Sequence, residues 1–257
     1  MGVNRFNYFS RNNNTKYCGS SQFKSFLKCP AKAMAELRGE WVRGDSTALL
    51  VGSYVDSWFD GTLDDFKRDN PQIFKKDGSL KAEYDKADAI IARVKEDELF
   101  MKYMSGRKQV IKTGEIEGVP FKIKMDSYHK GKAIVDLKVI KDFQPIWDED
   151  SGCRVDFIHY WGYDYQAAIY QAIEGNNLPV YICAVTKEAQ PDLAVIQIPQ
   201  HWIDSAMASI KNEIGIIDAI KRGDIEAERC GHCDYCKATK RLTRVISAEE
   251  LILEDNV

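Results

Sequence analysis

The sequence predicts an α/β (α+β) fold in which a central mixed β-sheet is flanked by helices. Two patterns along the chain support this fold class. Apolar residues recur at helical spacing up to about residue 104, and then alternate with polar residues between about 108 and 139. A predicted helix, two apolar strand-like segments and a long amphipathic helix follow, an order typical of helices packed on one sheet.

The helices are predicted from apolar positions three and four residues apart. They cover residues 20–39, 47–68, 79–104, 156–174 and 201–221. Ser20 or Ser21 is the expected N-cap of the first helix, and Pro30 is expected to disturb it.

The strands are predicted from period-two alternation or from short apolar runs. They cover residues 108–116, 121–126, 133–139, 179–185 and 193–198. His129, Lys130 and Gly131 separate the second strand from the third. These two strands are therefore expected to form a hairpin centred on Gly131.

Composition excludes several classes of protein. Hydrophobic residues make up 44% and charged residues 29% of the chain, which is typical of globular rather than disordered proteins. No apolar run approaches the ~18 residues that span a bilayer, and no secretory signal is visible. A cytoplasmic protein is therefore expected, with no membrane partner. Residues 1–19 are expected to be flexible, residues 20–240 to form a single domain, and residues 241–257 to be a tail.

Basic residues are concentrated in two stretches of a chain whose net charge is −3. Residues 1–45 hold eight Lys or Arg against three Asp or Glu, and residues 101–141 hold ten against four. One basic face on an acidic protein is compatible with DNA binding. Solvated helix and strand faces explain the same asymmetry.

The central hairpin carries the residues with the clearest chemistry. Asp136 and Lys138 are two apart on one strand, so they share a face. Asp126 is expected almost opposite Asp136, because their mean position is Gly131. Directly opposed residues have Cβ atoms ~4.5–5.5 Å apart, and two carboxylates on such residues repel each other and need a cation. Hard oxygen ligands suit Mg²⁺ or Mn²⁺. The alternative is the solvated face of an ordinary hairpin, since Asp-x-Lys arises often by chance.

These residues resemble the core of the PD-(D/E)XK nucleases when they are taken together with two further segments. Upstream, the segment Gly-Ser-Tyr-Val-Asp ending at Asp56 resembles the Gly-Thr-x-x-His segment of the RecB-like branch. Downstream, Gln166 and Tyr170 resemble its Gln-x-x-x-Tyr motif, and their i, i+4 spacing puts them on one helix face. The resemblance implies a restriction-endonuclease-like core.

Two stretches are most similar to RecE-type phage and prophage exonucleases. They are Trp-Gly-Tyr-Asp-Tyr-Gln at 161–166 and Arg-Cys-Gly-His-Cys-Asp-Tyr-Cys-Lys at 229–237. The resemblance covers about residues 20–240. It departs from the wider pattern at Asp56, which stands where His is usual, and at Met125, which stands where Pro is usual.

The resemblance implies a metal-dependent exodeoxyribonuclease that degrades linear double-stranded DNA from its ends, 5′ to 3′, in phage-type recombination. The expected ligands of two Mg²⁺ or Mn²⁺ ions are Asp56, Asp126, Asp136 and the backbone carbonyl of Leu137. Lys138 is expected to orient or deprotonate the attacking water, with a pKa lowered by burial beside a metal. Gln166 and Tyr170 are expected to position the scissile strand or this lysine. A single-strand annealing protein and a homo-oligomeric ring are the implied partner and assembly.

A second metal site is predicted from cysteine spacing. The chain has seven cysteines, and Cys230, Cys233 and Cys236 lie two residues apart, close enough to reach one centre. Cys29 is the candidate fourth ligand, as in related nucleases that join one N-terminal and three C-terminal cysteines around a cluster. A 4Fe–4S cluster, zinc with Cys29 or His232, and free buried thiols remain open.

Two other functions compete with the exonuclease. One is a RecB-like nuclease of another role, an endonuclease or a CRISPR-adaptation-like enzyme. The other is a catalytically inactive DNA-binding module held together by the cysteine cluster. A redox carrier is a weaker candidate, because the sequence has no second cysteine set and no flavin or nucleotide motif.

Overall fold

The computed structural model describes residues 2–42, 44, 46–149 and 151–253. Its main sheet has five strands in the order β1-β2-β3-β6-β7. The strands are β1 Arg107–Ile116, β2 Val119–His129, β3 Ala133–Ile140, β6 Val180–Thr186 and β7 Leu193–Gln197. β3 and β6 run parallel and the other neighbours antiparallel, so the sheet is mixed as predicted.

Helices cover both faces of this sheet. Along the chain they are α1 Arg11–Lys16, α2 Ser20–Lys28, α3 Pro30–Arg38, α4 Thr47–Phe59, α5 Leu63–Asp69, α6 Lys86–Lys95, α7 Glu98–Tyr103, α8 Phe157–Tyr160, α9 Tyr163–Glu174, α10 Gln200–Arg222, α11 Asp234–Ala238 and α12 Ala248–Leu253. A separate two-stranded hairpin joins β4 Ile146–Asp148 to β5 Cys153–Val155. This mixed α/β architecture is a restriction-endonuclease-like core.

Alternate residues of β3 pack into two different apolar cores, one on each face of the sheet. Ile134 and Ile140 belong to the core under α2, α9 and α10. Val135 and Leu137 belong to the core under α4, α6 and α7. Because side chains alternate along a strand, Asp136 shares its face with Ile134 and points towards the α9 side of the sheet.

Several predicted helices are divided in the structure. The first breaks at Cys29, whose extended backbone separates α2 from α3 just before Pro30. The second breaks at Gly61, where φ is +70°, and the 156–174 helix breaks at Gly162, where φ is +61°. Glycine adopts this left-handed conformation readily because it has no Cβ atom. The two glycine breaks therefore depend on local backbone angles, which the spacing of apolar residues does not indicate.

The N-terminal segment, expected to be flexible, lies against the sheet in the structure. Cys18 is fully buried and forms a bridge with Phe121 of β2. The side chain of Lys122 contacts the carbonyl of Tyr8 and the side chain of Asn14. At the other end, residues 254–257 of the predicted tail lie outside the described residues.

Candidate active site

Three carboxylates from three elements line one cleft of 1560 Å³. Asp56 comes from α4, Asp126 from β2 and Asp136 from β3. Gly52 and Ser53 of the same α4 segment also line it. The structure thus brings together all three acidic residues that the sequence selected.

The hairpin register predicted from Gly131 is confirmed. Ser127 pairs with Val135, and His129 pairs with Ala133. The pairing found between β2 and β3 ends at Ser127 and Val135, one residue before Asp126 and Asp136 would face each other. Beyond that point Asp126 Oδ2 accepts the Leu137 N–H at 3.0 Å, in place of a strand carbonyl. The end of the ladder leaves both carboxylates free to face the cleft.

Gln166 joins the two residues of the Asp-x-Lys pair. Its Nε2 donates to Asp136 Oδ1 at 2.6 Å, and its Oε1 accepts from Lys138 Nζ at 3.2 Å. Lys138 also forms an ion pair with Asp136 Oδ2. A side-chain amide has an NH₂ group that donates and an oxygen that accepts. It can therefore bond a carboxylate and an ammonium simultaneously. The i, i+4 partner Tyr170 donates its hydroxyl to the Lys124 carbonyl at 2.8 Å.

The electrostatics of the carboxylates fit a divalent cation. Burial and the neighbouring Asp60 raise the pKa of Asp56 to about 6. Burial, with the charges of Asp136 and Asp56, raises the pKa of Asp126 well above its usual range. Asp136 Oδ2 accepts no well-directed hydrogen bond from the residues that the structure describes, although it touches Lys138. Crowded carboxylate oxygens with spare lone pairs are the donor set that Mg²⁺ and Mn²⁺ prefer.

The pKa of Lys138 depends on the acidic groups around its ammonium. Burial alone would lower the pKa of Lys138, but the charges of Asp136, Tyr163 and Asp126 outweigh it and raise that pKa. In this arrangement the side chain stays an ammonium. An ammonium at this position can orient an attacking water, which is one of the two roles predicted for Lys138.

Two side chains near this centre were given no role from the sequence. Tyr163 lies with its ring centroid 4.4 Å from Lys138 Nζ. Lys124 lines the cleft, and its charge lowers the pKa of Asp56 against the larger effect of burial. The spacing of these two residues from known site residues is the signal that could have identified them. Tyr163 lies three residues before Gln166 on one helix face, and Lys124 lies two residues before Asp126 on one strand.

The basic stretch 101–141 contributes only part of its charge to the cleft. The lysines of that stretch that line the cleft are Lys122, Lys124, Lys138 and Lys141. Lys187 and Arg154 join them from other elements. The lining is thus suited to a polyanion that passes over the carboxylates.

The cysteine cluster assembles with Cys29 as its fourth member. The sulfur atoms of Cys29, Cys230, Cys233 and Cys236 all lie within 4.8 Å of one another. Backbone N–H groups of Cys233 and Cys236 point at the sulfurs of Cys230 and Cys233, at 3.4 and 3.5 Å. The group could hold a metal ion, and it joins the start of α3 to the C-terminal segment.

Thiolate character is favoured at one of these cysteines. Burial raises the pKa of Cys230, but hydrogen bonds from Cys233 and His232 outweigh it and lower that pKa to about 6. A thiolate is the form that binds metal. His232 and Cys18 lie outside the four-cysteine group found among the described residues.

Over the part of the chain that the structure describes, no helix has the length and apolar character to cross a membrane.

The chain is similar to known proteins over nearly its whole length. Residues 19–239 match the family model described as a PDDEXK-like domain of unknown function (DUF3799). A crystal structure at 2.19 Å resolution, of a Eubacterium rectale protein provisionally described as an exonuclease, is 44% identical. It superposes with a TM-score of 0.93 and covers 98% of each chain. A comparison with curated proteins finds no match.

The family model spans most of the chain, and the related structure shares its fold over nearly the whole length. The carboxylates, the lysine and the glutamine lie within the matched residues. The chain therefore belongs to the family of PDDEXK-like domains.

Proposed function

We propose that this protein is a metal-dependent exodeoxyribonuclease that hydrolyses the phosphodiester bonds of linear double-stranded DNA, 5′ to 3′, in phage-type recombination. The observation that carries the proposal is the cleft in which Asp56, Asp126 and Asp136 surround the Lys138–Gln166 pair. The description of the Eubacterium rectale protein as an exonuclease supports action at DNA ends.

The carboxylates and Lys138 are proposed to have different roles in the reaction. Asp56, Asp126, Asp136 and the carbonyl of Leu137 would hold two Mg²⁺ or Mn²⁺ ions. Such ions neutralise phosphate charge and make a nucleophile available at neutral pH. Lys138 offers a charged donor to the attacking water or to the phosphate.

The supporting side chains keep this donor in place. Gln166 holds Lys138 against Asp136, and the ring centroid of Tyr163 lies 4.4 Å from Lys138 Nζ. Tyr170 is proposed to position the strand β2 through its bond to Lys124. The arrangement would hold the DNA backbone and not read its bases.

The cysteine group is proposed to have a structural role. A 4Fe–4S cluster or Zn²⁺ on Cys29, Cys230, Cys233 and Cys236 would tie the N-terminal helices to the C-terminal end of the domain, residues 20–240. Purified protein that is brown, with iron and sulfide, indicates the cluster, whereas colourless protein with zinc indicates the other ion.

The proposed setting is a cytoplasmic one, with DNA ends as the substrate. A single-strand annealing protein is the proposed partner, and a homo-oligomeric ring is the proposed assembly. Both come from the resemblance to RecE-type exonucleases.

A time course on linear and covalently closed circular duplexes tests the activity and its polarity. The linear duplex carries a label at either the 5′ or the 3′ end, and each reaction is run with Mg²⁺ and with EDTA. The proposal predicts loss of linear DNA alone, with early release of the 5′ label, and none in EDTA. Nicking of the circle would contradict the exonuclease and favour the endonuclease. Inertness towards every DNA would contradict the activity.

A further inference from the structure

Two solvent-exposed tryptophans line the cleft. The side chain of Trp147 is 55% exposed and that of Trp161 is 47% exposed. Both residues line the cleft that holds the carboxylates. Burial of an indole ring is strongly favourable, so an exposed ring that lines a cleft is available to pack against a bound ligand.

Trp147 is presented by the small hairpin between β3 and α8. Within that hairpin Trp147 pairs directly with Arg154, and Arg154 also lines the cleft. Directly paired residues of an antiparallel hairpin project on the same side. A flat aromatic ring and a guanidinium, which donates to the Pro145 carbonyl at 3.0 Å, therefore share one face.

Trp161 is held in place by its neighbours. Its carbonyl accepts a hydrogen bond of 2.9 Å from Lys24 Nζ. The ring of Tyr160, which also lines the cleft, meets the Trp161 ring edge to face at 4.9 Å. Lys28 Nζ lies 6.0 Å from the centroids of both rings. Aromatic surface and positive charge thus occur together at Trp161 as they do at Trp147.

The two tryptophans line the same cleft as the catalytic centre. Trp161 is two residues from Tyr163, whose ring centroid lies 4.4 Å from Lys138 Nζ. Apart from the three proposed metal ligands, the described residues that line the cleft include more bases than acids. The bases are Lys122, Lys124, Lys138, Lys141, Arg154 and Lys187, and the acids are Glu36 and Asp142. A polyanion with flat apolar groups fits both the charge and the rings.

We propose that Trp147 and Trp161 form a platform on which the unpaired bases of a DNA strand stack, while Arg154 and Lys28 contact its phosphates. Bases within a duplex are already stacked on their neighbours, so an unpaired strand is the form that offers free faces to aromatic side chains. The inference rests on the proposed nuclease function and adds to it. The strand that reaches the carboxylates is single-stranded where it crosses the two tryptophans.

The test compares binding of a short thymidine oligonucleotide with binding of an abasic oligonucleotide of equal length and charge. Fluorescence anisotropy is measured in EDTA, so that no strand is cut. The wild-type protein is expected to bind the base-bearing strand at least about tenfold more tightly, which corresponds to ~1.4 kcal/mol, because bases stack favourably on aromatic rings. The Trp147→Leu/Trp161→Leu double variant is expected to lose that preference and keep its affinity for the abasic strand.

Two controls separate stacking from other effects. The Trp147→Phe/Trp161→Phe variant keeps the rings and is expected to keep most of the preference. Trp58→Leu removes a tryptophan that does not line the cleft and is expected to leave the preference unchanged. A wild-type protein with equal affinity for both strands, or a leucine double variant with an intact preference, would overturn the platform. A separate measurement tests the nuclease proposal: absence of DNA cleavage by the wild-type protein in Mg²⁺ would contradict that proposal, whatever the binding preference.

Discussion

Gln166 donates a hydrogen bond of 2.6 Å from its side-chain amide to Asp136, and the other end of the same amide accepts from Lys138. The two charged residues share a strand face, but the residue that sets their relative position comes from α9. This contact explains why a glutamine in that helix belongs to the site although it is not itself a proposed metal ligand.

Gln166→Ala is therefore expected to lower kcat and leave KM for DNA nearly unchanged, because the bridge orients Lys138 and binds no substrate. Loss of an orienting partner of this kind typically costs roughly 10- to 100-fold in activity. Steady-state kinetics on labelled linear DNA measures both constants. The matched control is Gln171→Ala on the same helix, whose side chain bonds the Leu178 carbonyl and Gln200, and which should retain kcat. Equal kcat in the Gln166 variant and the wild-type protein would contradict the positioning role.

The proposed metal site makes a prediction about stability. A cation that relieves repulsion among Asp56, Asp126 and Asp136 binds the folded state alone. At about a hundred times its dissociation constant it adds ~2.7 kcal/mol, or roughly 5–10 °C in Tm. Differential scanning fluorimetry with Mn²⁺ and with EDTA measures this shift. Asp126→Asn should abolish most of it, whereas an equal Mn²⁺ shift in that variant would place the cation elsewhere.

Cys233→Ser is expected to reduce metal content and to lower Tm by about 5–10 °C, because a structural metal contributes folding free energy. Elemental analysis and thermal unfolding are the measurements. Cys153→Ser is the control, since Cys153 is exposed and lies outside the four-cysteine group. Wild-type protein without bound metal, together with unchanged Tm in Cys233→Ser, would contradict the structural role.

Glu174 provides a pH dependence outside the site. Burial opposes its ionisation, but hydrogen bonds from Tyr128, Lys112 and Asn176 outweigh it and lower the pKa of Glu174 to about 2. A lowered pKa contributes stability that is complete above the unfolded value of 4.5 and is lost as pH falls towards 2.

Glu174→Gln is thus expected to lower the free energy of unfolding by about 2–3 kcal/mol at pH 7, with a difference that shrinks below about pH 4.5. Urea unfolding of both proteins over this pH range gives the comparison. A difference that stays constant from pH 7 to pH 3 would show that the ionised carboxylate is not its source.

The sequence predicts the sheet well, because alternation along β2 and β3 records which side of the sheet each residue faces. The hairpin register centred on Gly131 follows from that alternation. The helix breaks at Gly61 and Gly162 do not, since they depend on local φ angles. The short hairpin with Trp147 is also missed, because three-residue strands leave too little periodicity to recognise.

Within the site, the sequence selects Asp126, Asp136, Lys138 and Gln166 through their spacing and their resemblance to a known motif. It does not predict the contact of Lys138 with Tyr163, which depends on β3 and α9 meeting in space. The membership of Cys29 in the cysteine group, by contrast, is predicted from the resemblance to related nucleases, and the structure brings its sulfur to the other three.

Single-turnover cleavage of linear DNA by Asp136→Asn tests the central claim most directly. The variant keeps the shape of the side chain and removes the charge that the metal ions and Lys138 require. The account predicts a rate roughly 10²–10³-fold or more below that of the wild-type protein in Mg²⁺. It also predicts little change in Tm, and near wild-type cleavage by the control Asp142→Asn, which lies in the same cleft. Cleavage by Asp136→Asn at the wild-type rate, abolished by EDTA, would contradict the assignment of this site.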